Sequence, residues 1–175
     1  MFNHVEITPK MLAWAEARLR KYIPDWTNVT DFRALGKHSA YKNAYFGVLG
    51  EAVFWCVNQH ATYMGNDFGS YDFKMDGYSY EVKTSWCSVT PQPHYEAMLN
   101  KRKLKMELPD RFAFARINKN LKEGWLLGWI EPEHLFRVAT LRLAGESRRL
   151  LPAEYLMTYS DDCYEIKYSE MHSFN

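Results

Sequence analysis

The sequence predicts a single α/β domain, a mixed β-sheet flanked by helices, and three stretches carry that expectation. Asp76-Gly77 separates YDFKM from YSYEV, and Asp-Gly between alternating strands is the strongest short-range hairpin signal. From Ser39 to about His60 the pattern is that of a long helix, with Ser39 as N-cap and Ala44, Val48, Ala52, Trp55 and Cys56 as its buried stripe. Residues 112–117 and 125–130 are almost continuously apolar, as strands covered on both faces are.

The remaining elements follow in order. Thr8-Pro9 opens a helix as N-cap and first-turn Pro; Met11, Leu12, Trp14, Ala15, Leu19 and Tyr22 recur at helical spacing until Pro24 ends it. Residues 24–38 read as an irregular connection and 61–64 as a short strand. The hairpin follows, and Pro91 and Pro93 then break the chain. HYEAMLNKRKLKMEL predicts a helix over 94–108, with Tyr95, Met98, Leu99 and Met106 facing inward. Residues 118–124 are a turn, Pro132 begins a short helix, and 135–151 fit strand or helix equally. Residues 156–159 and 164–168 read as a closing strand pair.

Composition sets outer limits. A chain of 175 residues suits one domain with its own core, and 47% hydrophobic and 16% aromatic residues exclude disorder. The formal net charge of +1 gives no bulk attraction for nucleic acid, so any such affinity requires a local basic patch. Three widely spaced cysteines, Cys56, Cys87 and Cys163, fit reduced thiols. Cys56 and His60 would supply only half a zinc site, which favours Cys56 as a core residue. Without a continuous apolar leader or a bilayer-length apolar run, the expected compartment is the cytoplasm, with no membrane partner. Nor is there a Gly-rich loop for a nucleotide cofactor.

In a two-residue hairpin Met75 pairs with Tyr78, Lys74 with Ser79, Phe73 with Tyr80, Asp72 with Glu81 and Tyr71 with Val82. Alternation then collects Tyr71, Phe73, Met75, Tyr78, Tyr80 and Val82 on a core face, and Asp72, Lys74, Ser79, Glu81 and Lys83 on the other. Two carboxylates directly opposite repel unless a cation lies between them. A Mg²⁺ would remove that cost, and so would a solvated face whose Lys74 and Lys83 pair the acids diagonally. The same acid-x-Lys pattern recurs at Glu165-Ile166-Lys167, where Asp161 and Asp162 stand too close upstream to face Glu165 across a hairpin. That copy is expected to be an ordinary strand. Glu51 interrupts the apolar run GVLGEAVFW, where an unpaired carboxylate is costly, and Gly47 and Gly50 suit a helix lying close on the sheet. Asp67 competes with Asp72 as first acid but belongs to the preceding turn.

Asp72, the hairpin, Glu81-Val82-Lys83 and the upstream helix Glu51 together resemble the PD-(D/E)xK nuclease superfamily over roughly residues 39–131. Tyr71 stands where that family loosely keeps Pro. The resemblance implies a restriction-endonuclease-like fold with residues 1–38 and 132–175 as extensions. It also implies metal-dependent hydrolysis of DNA, with Mg²⁺ (or Mn²⁺) held by Asp72, Glu81, the Val82 carbonyl and Glu51, and with Lys83 beside the attacking water. DNA contacts are then expected from Lys37, Lys42, Thr84, Ser85 and the basic run Lys101, Arg102, Lys103 and Lys105, which otherwise is a solvated face. A homodimer would allow two cuts. Two other classes fit the residues: a non-catalytic DNA-binding protein that keeps the fold, and a protein-interaction module.

Overall fold

The structure is a computed structural model, described over residues 2–22, 39–65, 71–101, 104, 107–150 and 155–174. Its centre is a six-stranded mixed sheet in the order β1 (Asn3–Glu6), β7 (Glu123–Ile130), β6 (Arg111–Asn118), β4 (Tyr78–Cys87), β3 (Phe73–Met75) and β2 (Thr62–Tyr63). All neighbours are antiparallel except β4 and β6, which run parallel from Tyr80↔Arg111 to Cys87↔Asn118. β1 is an edge strand that the sequence reading did not anticipate.

β6 and β7 carry apolar residues on two faces because the sheet is covered on both. Ala113, Ala115 and Ile117 of β6 join Tyr80 and Val82 of β4 in a core under α2 (Ser39–Val57), with α1 (Pro9–Tyr22) packed on α2. Phe112 and Phe114 point the other way, into a second core. That core is closed by α3 (Pro132–Val138) and an antiparallel sheet of β5 (Glu96–Asn100), β11 (Cys163–Lys167) and β8 (Thr140–Arg142). β9 (Ser147–Leu150) and β10 (Tyr155–Thr158) form a separate pair.

Several boundaries match the sequence reading. α1 begins at Pro9 with the Met11 amide donating to Thr8 Oγ1 at 3.3 Å, as an N-cap requires. α2 begins at Ser39, and α3 at Pro132. Gly50 brings α2 onto β4: a Cβ there would lie 1.8 Å from Thr84 Oγ1. Gly47, by contrast, has open space where its Cβ would be.

Other expectations are corrected. Residues 94–108 do not form one helix; β5 takes 96–100 because β11 offers a complete antiparallel partner, from Lys167↔Glu96 to Cys163↔Asn100. Strand alternation accordingly buries Ala97 and Leu99 and turns Met98 outward. The closing strands do not pair with each other, since β10 joins β9 while β11 lies between β5 and β8. On α2, Trp55 and Cys56 are exposed, so Cys56 is not a core thiol. That helix is apolar around nearly its whole girth, and periodicity had no polar face to orient it. The connection 24–38 lies outside the described residues.

Candidate functional site

The hairpin forms as read. Asp76 (φ 53°) and Gly77 (φ 84°) both take the positive φ of a type I′ turn, and Phe73↔Tyr80, Lys74↔Ser79 and Met75↔Tyr78 pair in the expected register. Tyr78 is exposed rather than buried, its ring covered by the Arg111 guanidinium at 3.7 Å.

Beyond Phe73 the ladder stops, and the predicted pairs Asp72–Glu81 and Tyr71–Val82 do not form. The Asp72 amide donates to the Tyr80 carbonyl at 2.8 Å, and the Asp72 carboxylate turns in to accept the Val82 amide at 2.8 Å. A continued ladder would have given that amide to Tyr71. Asp72 therefore holds β4 by its side chain, and the Val82 carbonyl lacks the Tyr71 amide that a regular hairpin would supply.

Glu51 reaches the same place from α2 and is 8% exposed. Its Oε2 accepts the Tyr63 hydroxyl at 3.1 Å and lies 3.4 Å from Arg18 Nε, an ion pair buried on both sides. The Arg18 guanidinium in turn lies over the Tyr63 ring, 4.4 Å from its centroid. Neither Arg18 nor Tyr63 was anticipated, although Arg18 follows Trp14 by four positions and so is a charge on the apolar stripe of α1.

Burial, reinforced by the charge of Asp72, pushes the Glu51 carboxyl up to about 8, against the pull of Arg18. Burial, reinforced by Glu81, pushes Asp72 up to about 7, against its hydrogen bond from Val82. Both carboxyls move upward because burial disfavours the charged form and a neighbouring acid repels it. Lys83 donates to Glu81 Oε1, and its charge, like that of Arg18, favours the ionised forms of Glu51 and Asp72. Glu51, Asp72, Glu81 and Lys83 thus form one electrostatic cluster drawn from a helix, the end of a hairpin and the parallel strand.

Oxygen donors fit a hard divalent cation. Among the described residues each carboxylate spends one oxygen in these bonds: Oε2 of Glu51, Oδ2 of Asp72 and Oε1 of Glu81. The three are spaced more widely than a closed ligand cage, since among the described residues the set whose ligand atoms all lie within 4.8 Å of one another is Glu131, His134 and His172. Mg²⁺ tolerates such spacing because it keeps several waters and takes one or two carboxylates directly.

Of the expected DNA contacts, Lys42, Thr84, Ser85 and Lys101 fall among the described residues. Lys42 lies over the Trp86 ring at 5.4 Å, and Lys119, not anticipated, lies over the same ring at 3.9 Å. Thr84 is turned into the sheet–helix contact, its hydroxyl 3.5 Å from the Gly47 carbonyl, and Ser85 lines a small cleft with Lys83, Met98 and Arg116. Lys101 follows a strand rather than ending a helix and pairs with Asp162 at 3.4 Å. Lys37, Arg102, Lys103, Lys105 and the rival acid Asp67 lie outside the described residues. The second acid-x-Lys copy behaves as structure: Glu165 is 4% exposed and bound by Arg142 (2.9 Å), Arg148 (2.8 Å) and the Tyr159 hydroxyl.

No protein-family model, no curated protein and no solved structure matches this chain. The fold is mixed α/β, and among the described residues no helix is long and apolar enough to cross a membrane.

Proposed function

We propose that this chain is a metal-dependent deoxyribonuclease of restriction-endonuclease-like architecture. The observation that carries the proposal is the burial of Glu51 beside Asp72 in one cluster with Glu81 and Lys83. Such crowding of carboxylates costs stability and suits a group whose task is to hold a divalent cation. Asp72, Glu81 and Glu51, with the Val82 carbonyl, would hold Mg²⁺ or Mn²⁺. Such an ion supplies an activated water and charge neutralisation at a phosphodiester.

The chain's own groups then divide the work. Asp72 is fixed by the Val82 amide, and Glu51 by Tyr63 and Arg18. Lys83, which donates to Glu81, would orient the water or meet the charge growing on the phosphate. Lys42 and Lys119 around the exposed Trp86 offer a cationic surface farther along β4.

The test combines calorimetric titration of Mg²⁺ and Mn²⁺ with cleavage assays on linear and supercoiled DNA. Asp72→Ala and Glu81→Ala are expected to lose metal and cleavage together. Lys83→Ala should keep the metal and lose about 10²–10⁴ in rate, the usual worth of a positioned proton-transfer group. Equal metal affinity in wild type and all three variants sinks the reading. The Glu81–Lys83 ion pair also suits a binding protein that keeps the fold without chemistry; Mg²⁺-independent DNA binding with no cleavage would favour that.

A further inference from the structure

A second constellation lies where the C-terminal segment meets β7. β1 covers β7 only from Glu123 to Leu126, so the strand is open farther along, and residue 172 takes that place. The Trp129 amide donates to the His172 carbonyl and the His172 amide to the Trp129 carbonyl, each at 2.9 Å. Gly128 permits this, since a Cβ there would stand 2.6 Å from the His172 carbonyl oxygen. The His172 imidazole lies over the Trp129 ring at 4.5 Å, and the Arg111 guanidinium lies 3.9 Å from the same ring centroid. Backbone and ring contacts thus both fix its position.

Glu131 follows β7 directly, and His134 is three residues on, within α3, where that spacing places side chains on one face. The ligand atoms of Glu131, His134 and His172 all lie within 4.8 Å of one another. We propose that these three side chains form a binding site for a transition-metal ion of the Zn²⁺ class, separate from the carboxylate cluster. Two imidazoles are borderline ligands that favour Zn²⁺ over Mg²⁺, a carboxylate is also an accepted Zn²⁺ ligand, and three protein ligands leave a fourth position for water. Zn²⁺ bonds of about 2.0–2.1 Å put tetrahedral ligands about 3.3 Å apart. Glu131 Oε2 and His172 Nε2 already stand 3.5 Å apart, close to that separation, and the His134 ring stands edge-on to His172 with centroids 5.7 Å apart. An ion there would tie the C-terminal segment to α3. A simple Glu131–His172 ion pair explains those two residues but makes no use of His134.

The experiment is calorimetric titration of Zn²⁺ into the full chain with its thiols kept reduced, in wild type, His134→Ala, His172→Ala and Asp72→Ala. One equivalent should bind, each histidine variant should weaken it at least tenfold with an unchanged circular-dichroism spectrum, and Asp72→Ala should bind as wild type does. In the wild type Co²⁺ should give tetrahedral d–d bands without thiolate charge transfer. A loss below tenfold in either histidine variant, a thiolate band, or no Zn²⁺ binding by wild type overturns the site. Failure of the wild type to bind Mg²⁺, or Mg²⁺ binding undiminished in Asp72→Ala, bears only on the nuclease reading, so the two proposals fail separately.

Discussion

Two carboxyls dominate at the residue scale. Glu51 and Asp72 are pushed up to about 8 and about 7, from 4.5 and 3.8 in a solvated chain. Between those limits the folded state binds more protons than the unfolded one, so this contribution to stability falls as pH rises. It is fully present below the unfolded values and lost as pH climbs through about 7 to 8. Glu51→Gln, neutral throughout, should therefore gain thermal stability relative to metal-free wild type as pH goes from about 5 to about 8.5. Melting curves across that range check it, and a gap that narrows with pH contradicts it. Near neutral pH, Mg²⁺ binding at this cluster should release protons, read as a binding enthalpy that changes with the buffer's ionisation heat. The sequence exposed Glu51 because an acid within an apolar run demands a partner. Its partners Arg18 and Tyr63 were hidden, because chain separation says nothing of which helix face meets which strand.

At the scale of elements, the contact of α2 with β4 decides where Glu51 stands. Gly50→Ala would drive a Cβ to 1.8 Å from Thr84 Oγ1 and 2.7 Å from its Cγ2, so the helix must lift. An overpacked contact of this kind costs about 1–3 kcal/mol. Denaturant unfolding should show that loss, and Thr84→Ala in the same chain should restore part of it. A neutral Gly50→Ala would mean that the helix lies elsewhere. The misread element is equally instructive. HYEAMLNKRKLKMEL is rich in helix formers, yet residues 96–100 become β5 because β11 supplies hydrogen bonds and a core for Ala97 and Leu99. Local propensity is worth a few tenths of a kcal/mol per residue, and a partner strand outweighs it.

At the scale of the whole molecule, the two chain ends close the sheet. β1 covers one part of β7 and the C-terminal segment the next, and Phe174, 9% exposed, packs against Phe54 at 5.6 Å and Tyr80 at 6.3 Å. Phe54 lies one helical turn from Glu51, and Tyr80 precedes Glu81. Phe174→Ala should cost about 3 kcal/mol in urea unfolding, in the range for a large core truncation. A loss below about 1 kcal/mol would show that the segment is not part of the core.

The sequence by itself determined the hairpin and its register through Met75↔Tyr78, the two strands buried on both faces, the starts of three helices, and the oddity of Glu51. Each rests on local chemistry: a turn that needs positive φ, an N-cap, a Pro, a side-chain period. Tertiary structure alone decided that the ladder ends at Phe73 and frees the Asp72 carboxylate to take the Val82 amide. It alone decided that Arg18 and Tyr63 hold Glu51, and that 96–100 joins a second sheet. These outcomes depend on which distant surfaces offer partners to unsatisfied backbone and charge, and that is fixed only when the whole chain has packed.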